Sequence, residues 1–170
     1  GRECPNLGGK GFKALSTMPA LRGLAVSCKL VDEEALASLP QFPSLKALMP
    51  MDVTDEGFRH IGRCEQLEGL WCMYCRETTD KATEYIAGLK KLEAYYAGQT
   101  LITDRSLEIL GKMDSLRELQ FWNISGITQE GIAALTKLPR LREVSFDGCI
   151  NITHVSTQVF APGVQVSYSA

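Results

Sequence analysis

The best candidates for metal or redox chemistry in this chain are Cys72 and Cys75, spaced as Cys-x-x-Cys beside Trp71. This spacing occurs in zinc sites and in thiol–disulfide enzymes. A zinc site normally needs four ligands, and the two histidines of the chain, His60 and His154, stand apart from the pair. A redox pair would open a helix, whereas the residues around Trp71 alternate like a strand. We therefore expect no metal, no cofactor and no redox site, and we expect both histidines to be solvated.

Length and composition are those of one ordinary soluble domain. The chain has 170 residues, of which 45% are hydrophobic and 22% charged. Its net charge of −2 gives no electrostatic reason to expect nucleic acid. It has no apolar run as long as the roughly 18–20 residues of a membrane-spanning helix, and no signal peptide. We expect a cytoplasmic protein without membrane insertion. We also expect no enzyme, because no nucleophile, base and oxyanion arrangement emerges.

The cysteines belong to a repeat of about 24 residues that covers nearly the whole chain. Leucines recur every 22 to 25 residues, at Leu21, Leu45, Leu67, Leu92, Leu116 and Leu141. An apolar residue follows each leucine three positions later, and a second inward position comes two residues further on. This pattern predicts a short strand with alternate residues facing the core. Mostly apolar residues also stand nine, six and three positions before each leucine, which predicts one face of a short helix.

Each predicted helix follows a short phrase such as "VTD" at Val53, "TTD" at Thr78 or "ITD" at Ile102. We expect the first residue of the phrase to be buried in the core and the Thr or Asp to cap the start of the helix. One strand–loop–helix unit cannot bury its apolar faces alone, so successive units must stack.

These motifs resemble a leucine-rich repeat, most clearly in "LRELQFWNISGITQEGIAALTKLP" from Leu116 to Pro139. Cys75 and Cys149 before the loop phrase resemble the cysteine-containing subclass of F-box proteins, and the chain is also similar to bacterial repeats with the phrase ITDxGLxxLxxL. The resemblance implies an α/β fold, a horseshoe-shaped solenoid with parallel strands on the concave face and short helices on the convex face.

The predicted organisation is a single leucine-rich repeat domain over residues 1–170, which we expect to be a fragment of a longer protein. A half repeat covers residues 4–20, and about six repeats start near residues 21, 45, 67, 92, 116 and 141. A terminal strand is expected near residues 164–168, within "VQVSYS".

Three local features depart from the pattern or bear on the cysteines. Pro50 stands at an inward strand position and cannot donate to the ladder, so we expect the second strand to be short or distorted. Thr83 replaces an apolar residue in the third helix. Cys4, Cys75 and Cys149 share a column but are three repeats apart, about 14 Å, beyond the reach of a disulfide. The pair of Cys4 and Cys28 stays open.

The outward strand positions carry the candidate binding site. They hold a predicted aromatic and methionine patch, listed as Met49, Met51, Trp71, Met73, Tyr74, Tyr96 and Trp122. An acidic rim follows on the last strands, made of Glu118, Glu143 and Asp147, with Gln120 between patch and rim. Small residues at Ala47, Gly69 and Ala94 should leave room beside the large ones. Exposed patches rich in Trp, Tyr and Met typically mark interfaces, so we predict a module that binds another protein on its concave face.

Several alternatives remain open at this stage. The patch could pack against another domain of a longer protein, or mediate self-association. The chain could be the substrate-receptor or regulatory part of a larger protein, ubiquitin-ligase-like or another enzyme, whose active part lies outside it. A small-molecule site in the aromatic cleft would need a concave pocket.

Overall fold

The strands of the repeat form one parallel sheet. A computed structural model describes residues 8–29 and 31–169. Its seven strands are hydrogen-bonded in chain order. They are β1 Gly23–Ser27, β2 Ala47–Met51, β3 Gly69–Cys72, β4 Ala94–Gly98, β5 Glu118–Trp122, β6 Glu143–Asp147 and β7 Gln165–Ser169. Each strand lies beside the corresponding residues of the next, as in Leu119 opposite Val144. The predicted α/β solenoid is confirmed.

Short helices connect the strands and stack on one side of the sheet. The α-helices are α1 Gly9–Ala14, α2 Asp55–Ile61, α3 Asp80–Ile86, α4 Asp104–Leu110 and α5 Gln129–Leu135. The segments Leu15–Thr17, Glu33–Gln41 and Ser156–Val159 are 3₁₀-helices instead. Pro40 lies inside the second of these and has no N–H to donate. Each α-helix contributes buried residues to the core, which lies between the helices and the sheet.

The predicted core columns are buried except at the start of the chain. Leu45, Leu67 and Leu92 are fully buried, as the repeat requires. Met18, predicted in the buried helix column, is 48% exposed, so that expectation is wrong. Leu21 is only half-buried. The reason is that β1 is the edge of the described sheet, with no described strand on its outer side to cover these residues.

Hydrogen bonds between repeats hold the start of each of the helices α2 to α5, in addition to the predicted caps. The threonines at the N-caps of α2 to α5 accept the N–H two residues on, at Thr54, Thr79, Thr103 and Thr128. The aspartate that follows bonds the next repeat instead. Asp55 accepts the N–H and the hydroxyl of Thr79 at 2.8 and 2.6 Å. Asp80 binds Thr103, and Asp104 binds Thr128, in the same way.

We call these contacts the Asp–Thr ladder, made by Asp55, Asp80 and Asp104 with the threonine of the following repeat. Glu33 makes the equivalent contact to the N–H and hydroxyl of Thr54. Gln129 stands at the same helix position of α5 and makes no such bond to the next repeat in the described residues. The ladder therefore couples the first repeats and stops at α5.

The two predicted irregular positions have clear consequences. Strand β2 has five residues, and its pairing is distorted on one side, in agreement with the expectation of a short or distorted strand. Val26 pairs with Pro50, whereas the register with β3 stops after Leu48 and resumes as an isolated bridge between Met51 and Met73. A proline has no N–H to give to β3. Thr83 is fully buried, and its hydroxyl hydrogen-bonds the Ser106 hydroxyl at 2.7 Å. The polar residue at this normally apolar position of α3 is therefore satisfied.

Candidate partner-binding face

Alternation along the strands places the predicted patch on the concave face, away from the helices. Leu70 and Cys72 face the core with no exposure, and Trp71 between them is half-exposed. Trp71 lies opposite Tyr96 in the register of β3 and β4. The two rings meet edge to face, with 5.5 Å between centroids and planes at 87°. This is a favourable geometry for aromatic pairs.

Gly69 gives Trp71 the space for this arrangement. The Trp71 ring lies over the Gly69 backbone, where any Cβ would collide with the ring. Gly69 itself is buried beneath it. The sequence predicts that a small residue here leaves room for a large neighbour. Only the structure shows that this neighbour is the Trp71 ring, which packs directly on the Gly69 backbone.

A second aromatic pair crosses a whole strand. Tyr74 and Trp122 come from the third and fifth repeats, yet their ring centroids are 6.0 Å apart with planes at 89°. Gly98 of β4 lies between them and is buried. A Cβ at Gly98 would come within 2.9 Å of Trp122 Cε3 and 3.6 Å of Met73 Sδ. Gly98 therefore lets the Trp122 ring fold across β4 towards Tyr74, and both rings stay open to solvent, 37% and 44% exposed.

Tyr74 occupies a position that disfavours a bulky residue. One residue just beyond each of the strands β2 to β6 adopts a left-handed backbone, with φ between 51° and 63° at Asp52, Tyr74, Gln99, Asn123 and Gly148. Glycine, asparagine and aspartate tolerate this conformation, whereas it is strained for an aromatic residue. Strained residues cluster at functional sites, where selection for function outweighs the cost in stability.

The methionines complete the patch around the rings. Met49 is 38% exposed, and Met51 and Met73 are half-buried beside each other. Flexible, polarizable methionine side chains adapt well to different surfaces. Met49, Met51 and the four rings thus occupy outward positions from β2 to β5.

The acidic rim lies beside this patch on β5 and β6. Glu118 and Glu143 stand directly opposite each other, and Asp147 stands opposite Trp122. The Tyr96 hydroxyl donates to Glu118 at 3.2 Å, which joins the rim to the patch. Burial, and then the carboxylate of Glu118, raise the pKa of Tyr96. Gln120 is half-buried between the two, opposite Tyr96.

The Cys-x-x-Cys pair lies in the core, as predicted. Cys72 and Cys75 are fully buried free thiols, and Cys75 Sγ lies 3.6 Å from Pro50 O and 3.5 Å from Met73 O. Cys149 makes the equivalent contact to Phe121 O at 3.6 Å. Burial raises the pKa of Cys75 to about 11 and that of Cys72 well above its usual value. Buried thiols that stay protonated are poor nucleophiles and poor metal ligands. Cys4 lies outside the described residues.

The expectation of a solvated His60 is wrong, whereas His154 is exposed as predicted. His60 of α2 is only 3% exposed, and its Nδ1 has no hydrogen-bond partner among the described residues. Its Nε2 lies 3.6 Å from Glu34, and with Glu56 the three could bring metal-ligating atoms together. The Arg59 guanidinium already fills this position, 3.9 Å from Glu34 and 2.5 Å from Glu56. The cluster is therefore an ion-pair group whose cation is an arginine.

Sequence reasoning missed a mixed-charge cleft at the carboxyl ends of β1 to β3. Lys29, Asp52, Tyr74, Arg76 and Glu77 line it. Lys29 pairs with Asp52 at 3.2 Å. Charges of both signs and wide exposure to solvent distinguish this cleft from the apolar pocket that a small-molecule site in the aromatic region would need.

The fold and the site geometry define a leucine-rich repeat solenoid, and solved structures of that class resemble it. An internalin C2 from Listeria monocytogenes str. 4b F2365 is 18% identical, with a TM-score of 0.61 over 96% of this chain and 76% of that chain. The yeast Rad7 and Elc1 complex gives 18% identity and a TM-score of 0.66 over 99% of this chain and 42% of that chain. The TLR13–ssRNA13 complex gives 14% identity and a TM-score of 0.55 over 90% of this chain and 29% of that chain.

At these identities the likeness concerns the fold. No family model matches the chain. The chain spans less than half the length of the matched Rad7 and TLR13 chains. In the described part of the chain no helix is both long and apolar enough to cross a bilayer.

Proposed function

We propose that this chain is a protein-recognition module that binds a partner protein on its concave face through the aromatic and methionine patch. The observation that carries the proposal is the Tyr74–Trp122 pair across Gly98. Two large rings stay open to solvent, one on a strained backbone and the other over a buried glycine. A stability requirement alone would favour neither arrangement. Trp and Tyr are the side chains most often found at the energetic centres of interfaces.

The mechanism is rigid presentation without catalysis or a cofactor. The parallel sheet fixes Trp71 against Tyr96 and Trp122 against Tyr74, so little conformational entropy is lost when a partner covers the rings. The methionines around them adapt to the partner surface. Truncation of one central ring should therefore cost about 2 kcal/mol or more of binding free energy, roughly 30-fold in the dissociation constant.

The test is affinity capture from lysate of the source cells, followed by titration of the captured protein. The Trp71→Ser, Tyr96→Ser, Trp122→Ser variant should lose proteins that the wild type retains, and Trp71→Ala should bind the identified partner about 30-fold more weakly. An unchanged dissociation constant for Trp71→Ala would refute the proposal.

A matched control removes apolar surface elsewhere. Leu101, Ile150 and Val155 are 60%, 77% and 71% exposed in loops away from the concave strands. Their triple change to serine should leave capture intact, and circular dichroism should show both triple variants folded. Loss of capture in both variants would indicate non-specific hydrophobic binding and would count against the proposal. If sedimentation velocity shows a wild-type dimer that the concave variant loses, the face is a self-association surface instead.

A second candidate is that the chain is the recognition part of a larger protein whose activity lies elsewhere. The similarity to less than half of the Rad7 chain favours this possibility, because a solenoid of this kind occurs there within a longer polypeptide. The sequence of the complete gene tests it directly.

A further inference from the structure

We propose that the helix-to-strand turns before β4, β5 and β6 form a basic edge that binds an acidic segment of the partner protein. The basic edge consists of the cationic side chains of these turns, listed as Lys90, Lys91, Lys112, Arg117, Lys137, Arg140 and Arg142. This inference rests on the proposed function and names the chemistry of the partner, a protein chain that presents several carboxylates in succession.

The positive charge is concentrated in three consecutive turns. Residues 87–93, 111–117 and 136–142 contain seven lysines and arginines but only two acidic residues. The turn before β3, residues 62–68, has the opposite balance, with one arginine and two glutamates. The whole chain has a net charge of −2, so the basic edge stands out from an acidic remainder. Such a concentration of one sign favours a partner surface of the opposite sign and speeds its association.

The three turns stack, so their cations form one row. The Arg117 N–H donates to Glu93 O at 2.8 Å, and the Arg142 N–H donates to Arg117 O at 2.8 Å. Successive turns are therefore one strand spacing apart, about 4.8 Å. Alternate side chains of an extended peptide lie roughly 7 Å apart on one face. The long, flexible side chains of lysine and arginine can bridge this difference and reach successive carboxylates.

The cations of the basic edge are nearly all unpaired. Six of the seven make no ion pair within residues 8–29 and 31–169. Arg117 is the exception, but its contact is weak. Its Nε lies 3.5 Å from Glu93 Oε2 and is buried without a hydrogen bond in the described chain. The Arg117 guanidinium is therefore not committed to Glu93 and is available to an incoming carboxylate.

Three of these cations surround one shallow pocket. Arg117, Arg140 and Arg142 line it together with Pro139 and Leu141, and the described chain contributes no acidic side chain to its lining. A guanidinium bonds a carboxylate through two parallel N–H groups, which gives the strongest and most directional ion pairs. The pocket therefore suits a carboxylate of a partner chain, and the lysines of the neighbouring turns extend the site along the edge.

The pocket adjoins the aromatic and methionine patch. Arg117 also lines a groove with Trp71 and Ala94, so a partner that covers Trp71 lies against the basic edge as well. Glu118 of the acidic rim borders the same groove. Its carboxylate repels an acidic segment from the concave strands and directs it outward onto the basic edge.

An acidic protein segment fits this edge better than nucleic acid or a lipid surface does. The three turns contain no aromatic residue on which a base could stack. Every leucine and methionine in them is buried, so they offer no large apolar side chain to a bilayer. Carboxylates need only the cationic N–H donors that the edge supplies.

The direct test uses defined probes at about 0.15 M salt, where long-range attraction is screened. A labelled, capped decamer that alternates glutamate with glycine is titrated with the protein and followed by fluorescence anisotropy. It should bind at least about ten-fold more tightly than the glutamine–glycine decamer, which has nearly the same shape without charge. Equal binding of the two decamers would overturn the inference. Tighter binding of hexathymidylate, or co-sedimentation of the protein with phosphatidylserine vesicles, would identify another anionic partner and also overturn it.

Two double variants with the same change in charge separate the basic edge from general attraction. Arg140→Gln with Arg142→Gln should weaken binding of the glutamate decamer at least about five-fold. Lys10→Gln with Lys13→Gln, at exposed positions of α1 at the other end of the solenoid, should change it less than about two-fold. All four positions are exposed, so circular dichroism should show both variants folded. Equal losses in both variants would refute the assignment.

The partner captured in the preceding experiment distinguishes failure of this inference from failure of the proposed function. If the aromatic variant loses the partner but Arg140→Gln with Arg142→Gln retains it at full affinity, concave binding stands and the basic edge is wrong. If only the arginine variant loses the partner, the edge binds it and the proposed concave function fails. Loss in both variants, with the α1 variant unaffected, supports both proposals.

Discussion

Replacing Asp80 by alanine should break one rung of the Asp–Thr ladder and destabilise the solenoid. The Asp80 carboxylate accepts three hydrogen bonds from the next repeat. They come from the N–H and hydroxyl of Thr103 at 2.8 and 2.6 Å, and from the hydroxyl of Ser106 at 2.6 Å. Ser106 in turn bonds the buried Thr83 hydroxyl at 2.7 Å, so the rung continues into the core.

The magnitude follows from these contacts. A hydrogen bond to a charged group contributes about 1.5–3 kcal/mol when buried, and partial exposure of Asp80 reduces this to about 1 kcal/mol each. The loss of helix-dipole stabilisation in Asp80→Ala, roughly 0.3–1 kcal/mol, is offset by the better helix propensity of alanine. We expect a loss of about 3 kcal/mol in the free energy of unfolding, or roughly 6–12 °C in melting temperature for a chain of this size.

The assay is urea denaturation followed by circular dichroism, with Gln129→Ala as the positional control. Gln129 occupies the same helix position but makes no bond to the next repeat, so its change should cost less than about 0.5 kcal/mol. If Asp80→Ala and Gln129→Ala differ by less than about 0.5 kcal/mol, the ladder does not couple the repeats and the reasoning is wrong.

The same rung predicts a dependence on pH. Burial alone would raise the pKa of Asp80, but the hydrogen bonds from Ser106 and Thr103 outweigh burial and lower it below the usual 3.8. A carboxyl whose pKa is lowered in the folded state stabilises the fold above its unfolded pKa, and that contribution is lost as pH falls through the folded value. The difference in stability between wild type and Asp80→Ala should therefore be constant above about pH 5 and shrink below about pH 4.

Two further predictions concern Tyr74 and Cys75. Tyr74→Asn should change stability by less than about 1 kcal/mol, because relief of the strained backbone, about 1–2 kcal/mol, offsets loss of the contact with Trp122, about 0.5–1.5 kcal/mol. Partner capture should nevertheless fall; a variant that is destabilised by more than about 2 kcal/mol in thermal melts would show that Tyr74 is mainly structural. For Cys75, burial raises the pKa from 9.0 to about 11, so its contribution to stability is complete below pH 9 and is lost as pH rises through 11. Wild type should lose more stability than Cys75→Ala between those values in pH-dependent denaturation, and parallel curves would contradict the argument.

The periodic features of the fold were predictable because they repeat. The spacing of Leu45, Leu67 and Leu92 indicates strands and a core, and alternation within each strand separates Cys72, facing inward, from Trp71, facing outward. Failures occur where the repeat loses a neighbour or takes on local contacts. Met18 is exposed because its repeat is at the edge of the described sheet, and His60 is buried because it packs beside Arg59 and the preceding segment.

The sequence by itself determined which side chains face the core and which face the concave surface, because alternation along a strand depends only on position. Contacts between particular side chains depend on how the repeats stack. Only the tertiary structure decided that Trp122 reaches across Gly98 to Tyr74, since this needs two repeats at a fixed distance and a strand without a side chain between them. It likewise decided that Asp80 bonds the next repeat, because a hydrogen bond depends on a distance that no sequence spacing specifies.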